Sequence, residues 1–154
     1  MAIKWTPRKD NIDIVFAADV NELGGYAESL SENIERLNKK LFEGTNVLVG
    51  EDALRLNTGS DNSAFGYFAL YQNTTGKDNV ALGSKTLISN KIGSFNNAIG
   101  TEALRTNSTG SYNNAIGYNA LYFNTSGTYN TAFGHSTLRL NTSGLGNTAI
   151  GAES

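Results

Sequence analysis

The sequence predicts a mainly β protein, a β-solenoid of about 17-residue repeats preceded by a short α-helical coiled coil. Three observations predict it. A glycine column, Gly50, Gly66, Gly83, Gly100, Gly117, Gly134 and Gly151, advances by 16 residues once and then by 17 five times. Four residues before each glycine stands an asparagine, at Asn46, Asn62, Asn79, Asn96, Asn113, Asn130 and Asn147. Composition also changes near Gly44. Residues 1–45 carry 14 charged side chains and three of the 17 glycines, whereas the far longer remainder carries only 12 charges and all other glycines.

The repeat reads N-x-A-[I/F/L]-G-x-x-[A/T]-L-x-x-N-x-x-G-x-x. A large apolar residue precedes each first glycine: Val49, Phe65, Leu82, Ile99, Ile116, Phe133 and Ile150. Four residues after it come Leu54, Leu70, Leu87, Leu104, Leu121 and Leu138. A second asparagine column (Asn57, Asn73, Asn90, Asn107, Asn124, Asn141) and a second glycine column (Gly59, Gly76, Gly93, Gly110, Gly127, Gly144) close the unit. One or two large side chains per segment cannot close a 17-residue globule. Neighbouring units must therefore share a core by stacking backbone on backbone at roughly 4.8 Å per layer. Six to seven coils make a rod segment of about 30 Å. Glycine is expected where the chain turns with positive φ, and asparagine tolerates the same left-handed region. The alanines Ala64, Ala81, Ala98, Ala115, Ala132 and Ala149 suit a tight interior or close contact with another chain.

Other repeat architectures fit poorly. Helical repeats usually need about 30 residues or more, and a glycine every seven to ten residues would cost a helix about 1 kcal/mol each time. Collagen needs glycine at every third residue. The calcium-binding nonapeptide solenoid needs its glycine-aspartate ligands in every unit, whereas the repeat region holds only Asp52, Asp61 and Asp78, of which just the last two share a column.

The first 45 residues follow another rhythm. Val20, Ala27, Ile34 and Leu41 lie seven apart, as do Leu23, Leu30 and Leu37, so the interleaved steps alternate three and four. That is the a/d seam of a short coiled coil, here residues 19–45, with the safer helix from about Tyr26 to Leu41. Ser29 and Glu32 have capping-box spacing, and Gly44 is placed to stop the helix. Three heptads are marginal alone, so the segment reads as a clamp aligning several chains. A single helix capping the solenoid edge is the alternative. Residues 1–18 form an arm in which Ile12, Ile14 and Phe16 alternate along a short strand and Trp5 stands beside Pro7. These four apolar residues are candidates for attachment to a partner.

Composition excludes several functions. The chain is near neutral, with 12 basic and 14 acidic residues, whereas phosphate-backbone binding needs a basic surface. No cysteine and one histidine leave no thiolate nucleophile, no disulfide and no multi-histidine metal site. No apolar run approaches the ~18 residues of a membrane span, and the charged N-terminus does not read as a signal peptide. His135 lies in a variable column and completes no catalytic set. No catalytic residue, metal or cofactor is therefore expected. The sequons at Asn73, Asn107, Asn124 and Asn141 read as turn chemistry. The ladders Arg55, Tyr71, Ile88, Arg105, Tyr122, Arg139 and Phe95, Tyr112, Tyr129 are expected to stack on themselves, with glycan binding as the functional alternative. The column holding Thr58, Thr74, Thr125 and Thr142 raises an ice-binding reading, but Lys91 interrupts it.

The "NNAIG", "NTAFG" and "NTAIG" blocks resemble the head repeats of trimeric autotransporter adhesins and the repeats of bacteriophage tail and head fibres. The segment "DIVFAADVNELGGYAESLSENIERL" is similar to N-terminal regions of phage fibre proteins. The resemblance implies a parallel homotrimeric β-roll, whereas the a/d pattern by itself leans towards two strands. It also implies a structural fibre of a phage virion or related injection machine, assembled in the host cytoplasm. Such a fibre would attach to other virion proteins through its N-terminal arm and contribute to host attachment through a surface glycan or receptor. Nucleic acid and membrane insertion have no part in it. The alternative it implies is a bacterial surface adhesin module.

Overall fold

The computed structural model describes residues 4–8, 11–15, 26–32 and 46–154. Phe16, Val20, Leu23, Ile34, Leu37 and Leu41 lie outside the described residues. The chain divides into two units, residues 1–40 and 41–154.

In the first unit, β1 (Lys4–Arg8) and β2 (Asn11–Val15) pair antiparallel, with Trp5 opposite Ile14 and Pro7 opposite Ile12. Strand β2 lies where the alternation of Ile12 and Ile14 predicts one. Strand β1 was not predicted. It tolerates Pro7 because both strands of a two-stranded ribbon are edges, where a missing N–H need not break a ladder. Residues 26–32 are helical and exposed throughout, including Ala27 and Leu30 of the predicted seam. Ser29 already sits inside this helix, so it cannot be the cap that starts it, contrary to the capping-box expectation.

The second unit is a solenoid of seven three-residue strands. They are β3 (Val47–Val49), β4 (Ser63–Phe65), β5 (Val80–Leu82), β6 (Asn97–Ile99), β7 (Asn114–Ile116), β8 (Thr131–Phe133) and β9 (Thr148–Ile150). Each pairs parallel with the next, in sequence order and in the register of the repeat, so that Ala98 meets Ala115 and Ile99 meets Ile116. The strands are short because the glycine that follows turns the chain at once, with φ between 118° and 142°. Two reverse turns follow, closed by Ala69 N–H to Gly66 C=O (3.2 Å) and Asn73 N–H to Leu70 C=O (3.1 Å). Inter-coil bonding continues through this segment, as in Leu70 N–H to Thr86 C=O (3.0 Å).

The backbone corrects one expectation. The first glycine column takes positive φ, but the second glycine column and both asparagine columns do not. The left-handed corners fall instead on ordinary residues: Lys85 (57°), Leu87 (51°) and Tyr112 (59°), with their equivalents in other coils. An L-residue in this region costs roughly 1–2 kcal/mol, here offset by inter-coil hydrogen bonds such as Lys85 N–H to Tyr67 C=O (2.8 Å). The second glycine column is needed for space. A Cβ at Gly93 would lie 2.3 Å from the Gly110 carbonyl oxygen and 2.4 Å from Asn90 Oδ1.

The interior is narrow. Each inner coil contributes one leucine, two small residues and two asparagines, with Leu70, Leu87, Leu104 and Leu121 fully buried. The strand alanines Ala64, Ala81, Ala98, Ala115 and Ala132 are also buried inside their own chain, Ala98 and Ala115 at 0 % exposure. They have no surface left for a neighbouring chain, which removes the second of their two expected roles.

Gly117 combines both requirements: its φ is 136°, and a Cβ would meet the Gly134 carbonyl oxygen at 2.2 Å. Gly117→Val is therefore expected to abolish cooperative folding. Tyr118→Ser, at an exposed neighbour, should shift the melting temperature by only a few degrees. Thermal denaturation followed by circular dichroism checks both, and equal melting temperatures for wild type and Gly117→Val would contradict the packing argument.

Candidate functional site

Two systems of side chains run the length of the solenoid, one inside and one outside. The inner system is a pair of buried asparagine ladders. Asn113 donates from Nδ2 to Asn96 Oδ1 (3.1 Å) and to the Gly127 carbonyl (2.8 Å). Its own Oδ1 accepts from the backbone N–H and the Nδ2 of Asn130, each at 3.1 Å. Both donors and both acceptor positions of the amide are thus used. In the second ladder Asn107 Nδ2 donates to Asn90 Oδ1 (2.8 Å) and to Gly110 C=O (2.9 Å). Gly110 C=O also accepts from Asn96 Nδ2 (2.9 Å), so one carbonyl ties the two ladders together. Asn73, Asn107 and Asn124 are fully buried, so their sequons present no amide for glycosylation in the folded rod.

The outer system is the face of the sheet. Side chains alternate across a strand, so with alanine inside, the large apolar residue beside it must point out. Phe65, Leu82, Ile99 and Ile116 are 36–47 % exposed, and Val49, Phe133 and Ile150 are 54–72 % exposed. Seven consecutive rungs carry no polar residue. The repeat pattern called for a shared core without saying which large apolar column fills it, and of the two only the leucine column does. The available signal was the alternation itself: alanine and isoleucine are neighbours, so only one can face inward.

The aromatic and arginine columns stack on themselves. The Phe95, Tyr112 and Tyr129 rings stack nearly parallel, with centroids 4.9 and 4.8 Å apart. Arg105 lies over the Tyr122 ring (5.3 Å) and donates to its hydroxyl (2.8 Å), and Arg139 covers the same ring at 5.5 Å. Within the aromatic ladder the inner ring faces are spent on one another. Tyr129 is 59 % exposed and is followed one repeat on by Gly146, beside which a Cβ would meet nothing within 4 Å. The hydroxyls of Thr58, Thr74 and Thr125 donate to carbonyls of the next coil, so they do not form a free water-ordering array.

His135 stacks on Tyr118 (5.4 Å) and borders an open recess of about 770 Å³ that Arg139, Glu153 and Ser154 also line. Among the described residues, no three His, Asp or Glu side chains are placed to hold a metal ion. No protein-family model, curated protein or solved structure matches the chain.

Replacing a ladder amide by a carboxylate tests the inner system. Asn113→Asp loses two donated bonds and buries a charge against the Asn96 and Gly127 oxygens. It is expected to destabilise the rod by about 3 kcal/mol or more at neutral pH. Burial holds such a carboxyl above its ordinary range, so the unfolded state is favoured while the group is ionised and the deficit shrinks as pH falls towards 4. Chemical denaturation at several pH values checks both the size and the sign.

Proposed function

We propose that the chain is a structural, non-enzymatic fibre segment. In this reading the solenoid is a spacer shaft, residues 19–45 join the chains, and the N-terminal arm anchors them to a larger assembly. The observation that carries it is the equivalence of the coils. Each inner coil binds both neighbours through the same amide, carbonyl and strand bonds, so rod length depends on repeat number rather than on any one side chain. Repetition of this kind suits a spacer better than a pocket enzyme, whose chemistry needs a few unequal residues at one place.

The assembly we favour is a bacteriophage virion, with the chain as a parallel homotrimer. The repeat blocks and the "ADVNEL" segment support that choice by resemblance. The hairpin supports an anchoring arm, since it aligns Trp5 with Ile14 in a unit separate from the shaft. Host attachment would be a second role. The free ring face of Tyr129 beside Gly146 is the place where the apolar face of a sugar could stack. The adhesin module remains the alternative, and a secretion signal and membrane anchor in the complete gene would favour it.

Two constructions test the division of labour. Inserting three further copies of Asn96–Tyr112 should lengthen the particle by ~14 Å in small-angle scattering without changing the number of chains. Deleting residues 1–18 should leave a folded oligomer that no longer enters virions. Normal incorporation of the arm deletion, or insertion that unfolds the rod, would overturn these roles.

A further inference from the structure

The outward strand column is the largest unexplained feature of the solenoid. It runs from Val49 to Ile150 without a polar rung, and its central members stay more than a third exposed. Strips of this kind, on the order of several hundred Å², are uncommon on the surfaces of monomeric soluble proteins. The chain cannot relieve the exposure by turning these side chains inward. The inward position on β4 to β8 is alanine at or near 0 % exposure, and in the inner coils a glycine carbonyl is already held by two amides.

The spacing of the strip identifies what would cover it. Its side chains repeat with the strand separation of roughly 4.8 Å. A partner that buries all seven rungs must present apolar groups at the same rise over about 30 Å. An α-helix repeats every 5.4 Å and would drift out of step by most of a rung within that length. The surface known to have the required rise and length is this same strip on another molecule. We infer that a second copy of this chain docks on the strip, parallel and in register, so that Ile99 meets Ile99 and Ile116 meets Ile116 of the neighbouring copy.

Parallel alignment rather than the reverse follows from the order of the chain. The segment with the apolar a/d pattern precedes the solenoid in the sequence of every copy. Parallel copies carry both apolar seams in the same order and can use both at once. Antiparallel copies can use only the strip. The flanking column agrees: Asn97 Nδ2 already bonds Asn114 Oδ1 at 2.9 Å, and parallel stacking sets amides beside amides at the same heights. The strip supplies a large part of the ~800 Å² per chain that a stable association buries. This inference rests on the proposed association of chains and adds its face and register.

The native chain has no cysteine, so single-cysteine variants report cleanly. Ile116→Cys is expected to shift to twice the chain mass on a denaturing gel, under mild oxidation and with a short bis-maleimide. Thr109→Cys, exposed in a different column, should not shift. In an antiparallel pair rung 116 lies opposite rung 82. Ile116→Cys alone would then stay unlinked, while a mixture of Leu82→Cys and Ile116→Cys chains would link, which would overturn the inference. Sedimentation of the double variant Ile99→Asp/Ile116→Asp, folded by circular dichroism, should show a lower oligomeric mass. A wild-type oligomer that resists both the aspartates and the cross-linkers would put the interface elsewhere while leaving the fibre reading intact. A wild type that is monomeric at micromolar concentration would remove both. If the aspartate variant fails to fold, the cysteine pattern decides alone.

Discussion

The asparagine amide is the interaction on which the rest of the solenoid depends. A 17-residue coil is too small to hold a purely apolar core, and its corners point backbone carbonyls inward. A buried carbonyl without a partner costs about 1–3 kcal/mol. Asn113 and Asn107 answer this with side chains that carry two donors and two acceptor positions, the same complement as a peptide group pair. Each ladder then propagates itself, because an amide that bonds the coil before it leaves an acceptor aimed at the coil after it. Apolar packing alone would let neighbouring coils slide. The amide ladders allow one register, the same one in which the strands pair.

Spending the interior on amides sets what goes outside. The space beside each amide column accommodates alanine and a single leucine, so the second large apolar residue of the unit is forced onto the solvent face by strand alternation. The tight coil also forces left-handed corners onto Leu87, Lys85 and Tyr112, which such residues seldom adopt. These local costs are offset by a ladder in which many backbone groups find a partner one repeat away. The exposed strip and the strained corners are thus consequences of one constraint, the small circumference of the coil.

The repeat length, the parallel stacking and the need for both glycine columns were legible in the sequence. Spacing reports periodicity, and glycine has few uses besides turns and close approach. The direction of each side chain was not. Asparagine is common in turns and in buried ladders alike, and composition cannot separate the two; only the coil geometry shows Asn96 and Asn113 at 0 % exposure. The leucine corners were hidden because Leu87 reads as ordinary core, which it also is. The outward column could have been deduced from the alanine beside it, had the narrowness of the interior been known. In the arm, Ile12 and Ile14 announce their strand by alternation, while β1 carries Pro7 and two basic residues and announces nothing.

The central claim is that buried side-chain amides, rather than apolar packing, hold the coils in register. Hydrogen exchange of the asparagine Nδ2 protons, followed by nuclear magnetic resonance, tests it most directly. Among asparagines, Asn79, Asn96, Asn107, Asn113 and Asn124 should exchange orders of magnitude more slowly than the exposed Asn97 and Asn114, at rates close to those of the strand backbone amides. Exchange of the ladder amides at the rate of exposed asparagines, in a rod whose strand amides stay protected, would contradict the account.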